Sequence, residues 1–543
     1  MDLGGNVAMK KPNVILILAD DLGYGDVSCL NPESKINTEN IDQLADEGMI
    51  FTDSHATSAV CTPSRYGVLT GRYNWRSHLK SYVLPGDSEA LIEKDRKTIA
   101  HMFKENGYNT AVVGKWHLGL DWQLKDKCDF KTYGLDEKEY CIPDIRFGRK
   151  GVFDITKGWF EPNGLDIDYT KPITFGPNQL GFDYIFGTAA SLDQPPFVYI
   201  ENDRALAEPN AITGEHNLDR IGASHQQKWE IGPIAPGFIH QNVCRDMQAK
   251  VLELIDKYTQ QEEPFFLYYP THMVHGPLIP DKEYRGKSGV GPYGDFVLQL
   301  DAYVGQIVNK LKDKDVFEDT VVIFTSDNGA SGVADLPGLI EKGHNPSYHF
   351  RGHKFDIWEG GHREPTIISY PKIIKAGSVC EQMVCHSDFY RTLSDIIGVQ
   401  LEDNVAEDSV SNLALWQGNN TPVRKDIIHS SANGGFSIRR GFWKLIFVED
   451  NGVDVKTILS KPSEGKYKAH QLYDLRNDIE EKNNVIEKYP EVVEKLQAVL
   501  EEHIRNGRST PGEPQVNGRN NPEGDWPQIR FMEDYEEVIK KTI

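Results

Sequence analysis

Apolar segments of strand length recur along this chain, and several run straight into acids, lysines or histidines. NVILILADDLG (residues 13–23) is an apolar run closed by Asp20 and Asp21. TAVVGKWHLG (110–119) leads into Lys115 and His117, PFFLYYPTHMVHGP (264–277) into His272 and His275, and TVVIFTSDNG (320–329) into Asp327 and Asn328. Between them lie segments with apolar residues near a 3.6 period, such as IDQLADEGMIF, IAHMFKENGY and MQAKVLELIDKY. Alternation of this kind predicts an α/β fold with a large, mostly parallel central sheet flanked by helices, since parallel strands need crossover connections that cover both faces. No repeat of solenoid period interrupts it.

Two further regions stand apart. Residues 120–220 are rich in Gly, Pro, Asp, Tyr and Asn, which predicts long, substrate-facing loops. QGNNTPV (417–423) marks a break. Beyond it, FSIRRGFWKLIF reads as a hairpin about Arg440-Gly441, and EVVEKLQAVLEEHI reads as an amphipathic helix. The predicted division is a main domain of residues 1–423 and a smaller C-terminal α+β subdomain of residues 424–543 carrying an antiparallel sheet.

Composition narrows the function. The 543 residues are 39% hydrophobic and 26% charged, as in a globular protein, and no apolar run approaches the ~20 residues of a membrane span. The net charge of −22 argues against a nucleic-acid partner, which needs a basic surface to displace counterions. It leaves room for an anionic substrate at a locally basic site. Of seven cysteines, none are spaced as in a zinc knuckle; Cys128/Cys141 and Cys380/Cys385 are close enough in sequence to be disulfide candidates, and the odd count leaves one free. Residues 1–12 lack the apolar core of a signal peptide. The chain is either cytoplasmic, or periplasmic or secreted with its signal removed.

In open α/β sheets ligands bind beyond the carboxyl ends of the strands. A single Asp or Asn there is an ordinary turn residue. Four such ends in one chain predict one convergent site. Asp20, Asp21, Asp327 and Asn328 offer only oxygen ligands, which suit calcium or magnesium. Lys115 and the histidines suit an anion beside the metal, and proton transfer. The segment SAVCTPSRYGVLTGR (58–72) adds Cys61 shortly before Pro63, a residue favoured in the first turn of a helix. A thiol at a helix N-terminus reads as a reactive thiolate; the alternative is a buried structural cysteine.

With these residues in view, the chain resembles the formylglycine-dependent (type I) sulfatases of the alkaline-phosphatase-like superfamily, and within them bacterial carbohydrate sulfatases. The family's Cys/Ser-x-Pro-x-Arg signature stands as Cys61-Thr62-Pro63-Ser64-Arg65, followed by Thr70-Gly71-Arg72. ILADDLGYGD, GKWHLG, GFDYIFG, HGP, FTSDNG, KFDIWEGGHREP, WKLI and LYDL extend the resemblance over nearly the whole chain. It implies that residues 1–423 are a catalytic sulfatase domain. It implies oxidation of Cys61 to formylglycine by a formylglycine-generating maturation enzyme, and a metal held by Asp20, Asp21, Asp327, Asn328 and residue 61. Calcium rather than magnesium comes from the resemblance alone.

The implied mechanism hydrates the aldehyde to a geminal diol, one hydroxyl of which attacks the sulfur of a sulfate ester. Asp327 accepts that proton, Arg65 orients the diol, and Lys115 and Lys354 hold sulfate oxygens. His275 protonates the leaving alcohol. His117 takes the second proton, which expels sulfate and restores the aldehyde. The implied substrate is a sulfated saccharide attacked from its end, of galactose or N-acetylgalactosamine 6-sulfate type, with Asp193, Tyr199, Glu201, Asn202, Asp203 and Arg204 as candidate sugar contacts. Aryl or small-metabolite sulfates are the alternative. A phosphoesterase of the same superfamily would use Thr or Ser with His-rich metal sites, which Cys61 and the Asp/Asn ligands disfavour. A non-catalytic glycan binder would not need every catalytic position kept. Monomer and dimer are equally compatible with the sequence.

Overall fold

The computed structural model describes residues 11–126, 133, 164–213, 229–230, 232–453, 469–518 and 526–542. Its centre is a ten-stranded sheet. Five neighbouring strands run parallel, in the order Thr320–Ser326, Asn13–Ala19, Phe265–Pro270, Asn109–Lys115 and Tyr184–Thr188. Antiparallel pairings appear only outside them, at Thr366–Ser369 on one side and Ile200–Glu201 on the other. The uninterrupted apolar character of Val14–Ala19 follows from this, because a central parallel strand is covered on both faces. Val14, Leu16 and Leu18 enter one core, and Ile15, Ile17 and Ala19 the other. Full burial of each larger side chain contributes roughly 1.5–3 kcal/mol.

The first face is covered by helices Cys61–Thr70, Ile99–Glu105 and Asp388–Ile396. The second is covered by His240–Tyr258 and Pro292–Asp313. The latter opens on Gly291 and Pro292 and closes with Lys310 and Lys312 in its last turn, where cations meet the negative end of the helix dipole.

A second, antiparallel sheet of four strands begins at Asp426 and runs Asp426–Ser430, Phe436–Arg440, Trp443–Ile446, Gln471–Asp474. The hairpin about Arg440-Gly441 forms, with Gly441 at φ 58° in the left-handed region that glycine enters without steric cost. Helix Pro490–Asn506 lays Leu496, Leu500 and Ile504 on this sheet and ends at Gly507. Trp75 and Trp526 share that core.

Three expectations are corrected. The helical reading of IDQLADEGMIF holds only to Asp46; Met49–Phe51 is a strand inserted between Thr366–Ser369 and Ser378–Cys380. The segment 120–220 is not loop throughout, since it supplies Tyr184–Thr188 to the parallel centre. Cys380 and Cys385 are free thiols. The two cysteines are taken up by different sheets, Cys380 paired with Phe51 in the main sheet and Cys385 with His55 in a separate two-stranded one. The pair Cys128/Cys141 lies outside the described residues.

Candidate active site

The four strands that end in reactive residues are immediate neighbours and parallel, so all four ends open on one edge of the sheet. Asp20 and Asp21 follow the central strand. Asp327 and Asn328 follow its neighbour on one side, and His272 and His275 follow its neighbour on the other. Lys115 is the last residue of the next strand. Gly114 makes that placement possible: at φ 133° it packs against Pro270, whose carbonyl oxygen would lie 2.1 Å from an added Cβ. Asp21 (φ 62°) and His117 (φ 55°) hold the left-handed backbone region, a strain of roughly 1–3 kcal/mol each that is typical of functional positions.

The charges interlock. Lys115 Nζ donates to Asp20 Oδ2 at 2.6 Å, and Lys354 Nζ lies 2.6 Å from Asp21 Oδ1. Arg65 donates from Nε (3.0 Å) and Nη2 (2.7 Å) to Asp327 Oδ2, and from Nη1 to the Lys115 carbonyl (2.9 Å). Asn328 Nδ2 donates to Asp21 Oδ1 at 2.8 Å. His275 Nε2 stands 3.7 Å from Asp21 Oδ2. Asp20, Asp21, Asp327, Asn328, Arg65, Lys115, His117 and Lys354 are all buried, and His275 is slightly exposed.

Burial opposes ionisation of Asp20, but Lys115, His275, Arg65 and Lys354 outweigh it and hold the carboxyl well below its ordinary range. Asp327 is displaced the other way, by burial and by the Asp20 charge. Burial also keeps His117 and His272 neutral, with Lys115 adding to the effect in both. The Asp20 amide donates to the Met273 carbonyl (2.8 Å) and the Asp20 carbonyl accepts from the Val274 amide (2.6 Å), which fixes Asp20 against the His272–His275 loop.

Cys61 is the first residue of helix Cys61–Thr70, buried at 2% exposure. Pro63 stands two residues further in, at the third helical position. The thiolate reading fails here: burial raises the thiol pKa, and Lys115 and Lys354 do not reverse that. Burial therefore favours the neutral thiol at Cys61.

A divalent ion fits this cluster. Three buried oxygens, Asp20 Oδ1, Asp21 Oδ2 and Asn328 Oδ1, have no hydrogen-bond partner among the described residues. Ligand atoms of Asp20, Asp21 and His275 lie within 4.8 Å of one another. Buried carboxylate oxygens are costly unless something satisfies them, and oxygen-only donors suit a hard cation.

A second group of metal-competent side chains, His55, His362 and His429 with Asp53 and Glu359, is different. Asp53 is held by Arg439 (2.7 Å) and His55 (2.8 Å), and Glu359 by Lys444 (3.0 Å) and Arg363 (3.2 Å). Its carboxylates are already neutralised by cations. His362 and Arg363 are therefore structural here. Arg72 likewise braces its helix, donating to Tyr66 and to the Val516 carbonyl.

The sugar-contact candidates divide. Asp193 Oδ1 comes within 3.9 Å of His275 Nδ1. Tyr199 stacks on Phe186 and donates to Asp246, Glu201 accepts from Tyr184, Asn202 accepts from the Ile185 amide, and Asp203 pairs with exposed Arg204. Those five are engaged at the sheet edge. The structure gives His272, a strand-end histidine named above, a Thr188 partner at Nε2 (2.7 Å) and a buried Nδ1 without a partner among the described residues. It also adds Glu364, a fully buried carboxyl that burial and the charges of Asp327 and Asp21 keep neutral. Glu364 stands in KFDIWEGGHREP, but the sequence does not mark its proximity to Asp327 and Asp21, because those neighbours come from elsewhere in the chain. A cavity of about 1120 Å³ between Glu89, Lys97, Trp122, Phe175 and Val516 lies elsewhere and includes none of these site residues.

The sequence profile of the sulfatase family matches residues 12–399. The chain belongs to the sulfatase family. As a sulfatase it is a sulfuric ester hydrolase of a family that works with a formylglycine and a divalent metal. It is 34% identical to N-acetylgalactosamine-6-O-sulfatase of Bacteroides thetaiotaomicron over 91% of this chain and 93% of that one. It is 29% identical to human steryl-sulfatase, over 93% and 90%. A solved sulfatase from a B. thetaiotaomicron locus for the metabolism of multiple glycosaminoglycans superposes with a TM-score of 0.73 at 31% identity, covering 91% of this sulfatase and 99% of that chain.

Proposed function

We propose that this sulfatase removes sulfate from the end of a sulfated carbohydrate, of galactose or N-acetylgalactosamine 6-sulfate type. The observation that carries the reading is the 34% identity, over nearly both full lengths, to a sulfatase named for N-acetylgalactosamine 6-O-sulfate. Aryl and small-metabolite sulfates are the alternative, favoured by the 29% identity to steryl-sulfatase.

In this reading Asp20, Asp21, Asp327 and Asn328 hold calcium, or magnesium, together with residue 61. The ion, when bound, stabilises negative charge on sulfate and nucleophile oxygens. Formylglycine at position 61, when hydrated, supplies the nucleophilic hydroxyl. Arg65 occupies Asp327 Oδ2 twice over and leaves Oδ1 with only the Asp21 amide at 3.3 Å, so Oδ1 is the atom that accepts the nucleophile's proton. Lys115 and Lys354 hold sulfate oxygens as charge develops. His117 Nε2 donates to the Leu84 carbonyl at 2.9 Å, which leaves Nδ1 as the basic nitrogen; it is buried and unpartnered, ready to take the second proton. His275 Nδ1 donates to the Gly276 carbonyl at 2.6 Å, and Nε2 is the atom that protonates the leaving alcohol.

A formylglycine-generating partner, a monomeric or dimeric state and a periplasmic or secreted location, with the cytoplasm as the alternative, belong to the same reading. So does the division into residues 1–423 and 424–543. The test is a panel of sulfated mono- and disaccharides with matching phosphates, using protein co-expressed with a formylglycine-generating enzyme and Cys61→Ala in parallel. Release from one regioisomer, lost in Cys61→Ala, supports the proposal. Turnover of aryl sulfates alone overturns the carbohydrate assignment, and faster phosphate release overturns the sulfate one.

A further inference from the structure

The four-stranded C-terminal sheet lies against the back of the site, and its bonds converge on one short segment. Helix Glu359–His362 carries Gly360 and Gly361. On one side of this pair stands Gly329, next to Asn328: the Gly329 amide donates to the Gly361 carbonyl at 3.2 Å, and a Cβ on Gly329 would fall 2.0 Å from the Gly360 carbonyl oxygen. On the other side runs the backbone that carries Lys354: a Cβ on Gly360 would meet the Gly352 carbonyl at 2.3 Å, and one on Gly361 the Asp356 carbonyl at 2.0 Å. The two glycines are thus a spacer, backbone to backbone, between the Asn328 loop and the Lys354 loop.

The C-terminal sheet and the loops that flank it hold that spacer in place. Lys444 Nζ reaches Glu359 Oε1 at 3.0 Å and Glu481 Oε1 at 2.9 Å, with all three side chains at 0% exposure. Glu481 Oε2 accepts from the Glu359 amide at 2.7 Å. Trp358 donates to Gln471 (3.1 Å), Asn451 donates to Asp356 (2.7 Å), and the Ile357 amide donates to the Asn451 carbonyl (2.9 Å). The strand Asp426–Ser430 bonds to residues 57–59, directly ahead of Cys61, through Ala59 and Ser58 donating to the Ser430 carbonyl.

We infer that Lys444 and Asn451 are positioning residues, which act through Glu359 and Asp356 to set the distance between the metal-side Asn328 and the sulfate-side Lys354. The inference rests on the proposed roles of those two residues. Neither Lys444 nor Asn451 touches substrate. Their effect is to fix a backbone gap, and loss of such an outer support typically costs 10–100-fold in metal affinity or rate.

The experiment uses full-length, formylglycine-converted protein with an aryl sulfate or the preferred sugar sulfate, and reads two quantities. One is kcat against KM; the other is the Ca²⁺ concentration that half-restores thermal stability after chelation. Lys444→Met is expected to lower kcat ~10–100-fold and to raise the Ca²⁺ midpoint by a similar factor, with KM less affected. Asn451→Ala, at a half-buried position, is expected to do the same by severalfold and decides the matter if Lys444→Met does not fold. Folded variants with kcat and Ca²⁺ midpoint within about twofold of the parent overturn the inference. Lys354→Met separates the two readings. If it is inactive while the junction variants are normal, only the inference fails; if it is as active as the parent, the proposed site itself fails.

Discussion

Two buried charge clusters sit within this fold, built from the same residue types and put to opposite uses. The cluster at the strand ends joins Asp20, Asp21 and Asp327 to Arg65, Lys115 and Lys354. The cluster at the sheet junction joins Asp53 and Glu359 to Arg363, Arg439 and Lys444. In the junction every oxygen of Asp53 and Glu359 has a cationic or histidine partner. At the strand ends Asp20 Oδ1, Asp21 Oδ2 and Asn328 Oδ1 have no hydrogen-bond partner among the described residues. Buried charge alone therefore does not mark a site. What sets the strand ends apart is the gathering of three unsatisfied ligand-type oxygens from two neighbouring strands, a cost that a bound cation would offset.

The largest expected effect breaks the strand-end cluster at its reactive residue. Cys61→Ala should lower sulfate release by at least ~10³-fold while the melting temperature moves by only a few degrees; a variant that keeps a tenth of the parent rate rules out residue 61 as nucleophile. Next comes metal removal. Chelation should abolish turnover and lower thermal stability, and Ca²⁺ or Mg²⁺ should restore both. Asp21→Ala should lose the metal-dependent stabilisation, whereas Asp53→Ala should lower stability and leave its metal dependence intact. Equal loss of metal response in the two variants would erase the distinction between the clusters.

Acid titration gives a smaller effect. His55, His117, His272, His362 and His429 all have depressed pKa values, with burial the leading cause. The unfolded chain protonates them near pH 6.5 and the folded chain only lower, so stability falls as pH drops below about 6.5. Asp20, Asp53 and Glu359 are depressed below the carboxylate range by their cations, which outweigh burial. Their contribution is complete above the unfolded value near 4 and is lost only as pH falls further. Each histidine taken alone lowers the unfolding free energy by up to ~1.4 kcal/mol per pH unit between pH 7 and 5; the raised carboxyls of Asp327, Glu364 and Glu481 act in the opposite direction over that window, and the depressed carboxylates add a loss below pH 4. NMR titration of the imidazole protons checks the assignment: a member of the five that titrates near 6.5 in the folded protein makes no such contribution. The smallest effect concerns Cys380 and Cys385. Reductant should leave the melting temperature unchanged, and a drop of several degrees would reveal a bridge.

The strand ends were legible in the sequence because their chemistry is local. Each apolar run announces its own termination, and Asp20, Lys115, His275 and Asp327 stand within a few residues of one. Met49–Phe51 was not, because three apolar residues after a helix have no period of their own and become a strand only when Thr366–Ser369 arrives beside them. The thiolate expectation for Cys61 read the helix end correctly and missed burial, which depends on packing from across the chain. Glu359 and Lys444 stand in segments that carry the family resemblance, but their pairing was silent for the same reason: they are 85 residues apart in sequence and meet only in the folded junction.

The bond from Ser58 to Ser430 spans 372 residues of sequence. A chain made from its amino end cannot form that bond until residue 430 has been synthesised, so the stretch leading into Cys61 stays uncovered by its final strand until then. At roughly 5–20 residues per second, that interval is on the order of 20 s to a little over a minute. The fold thus contains a clock: the segment leading into Cys61 gains its last strand partner only when the C-terminal sheet arrives.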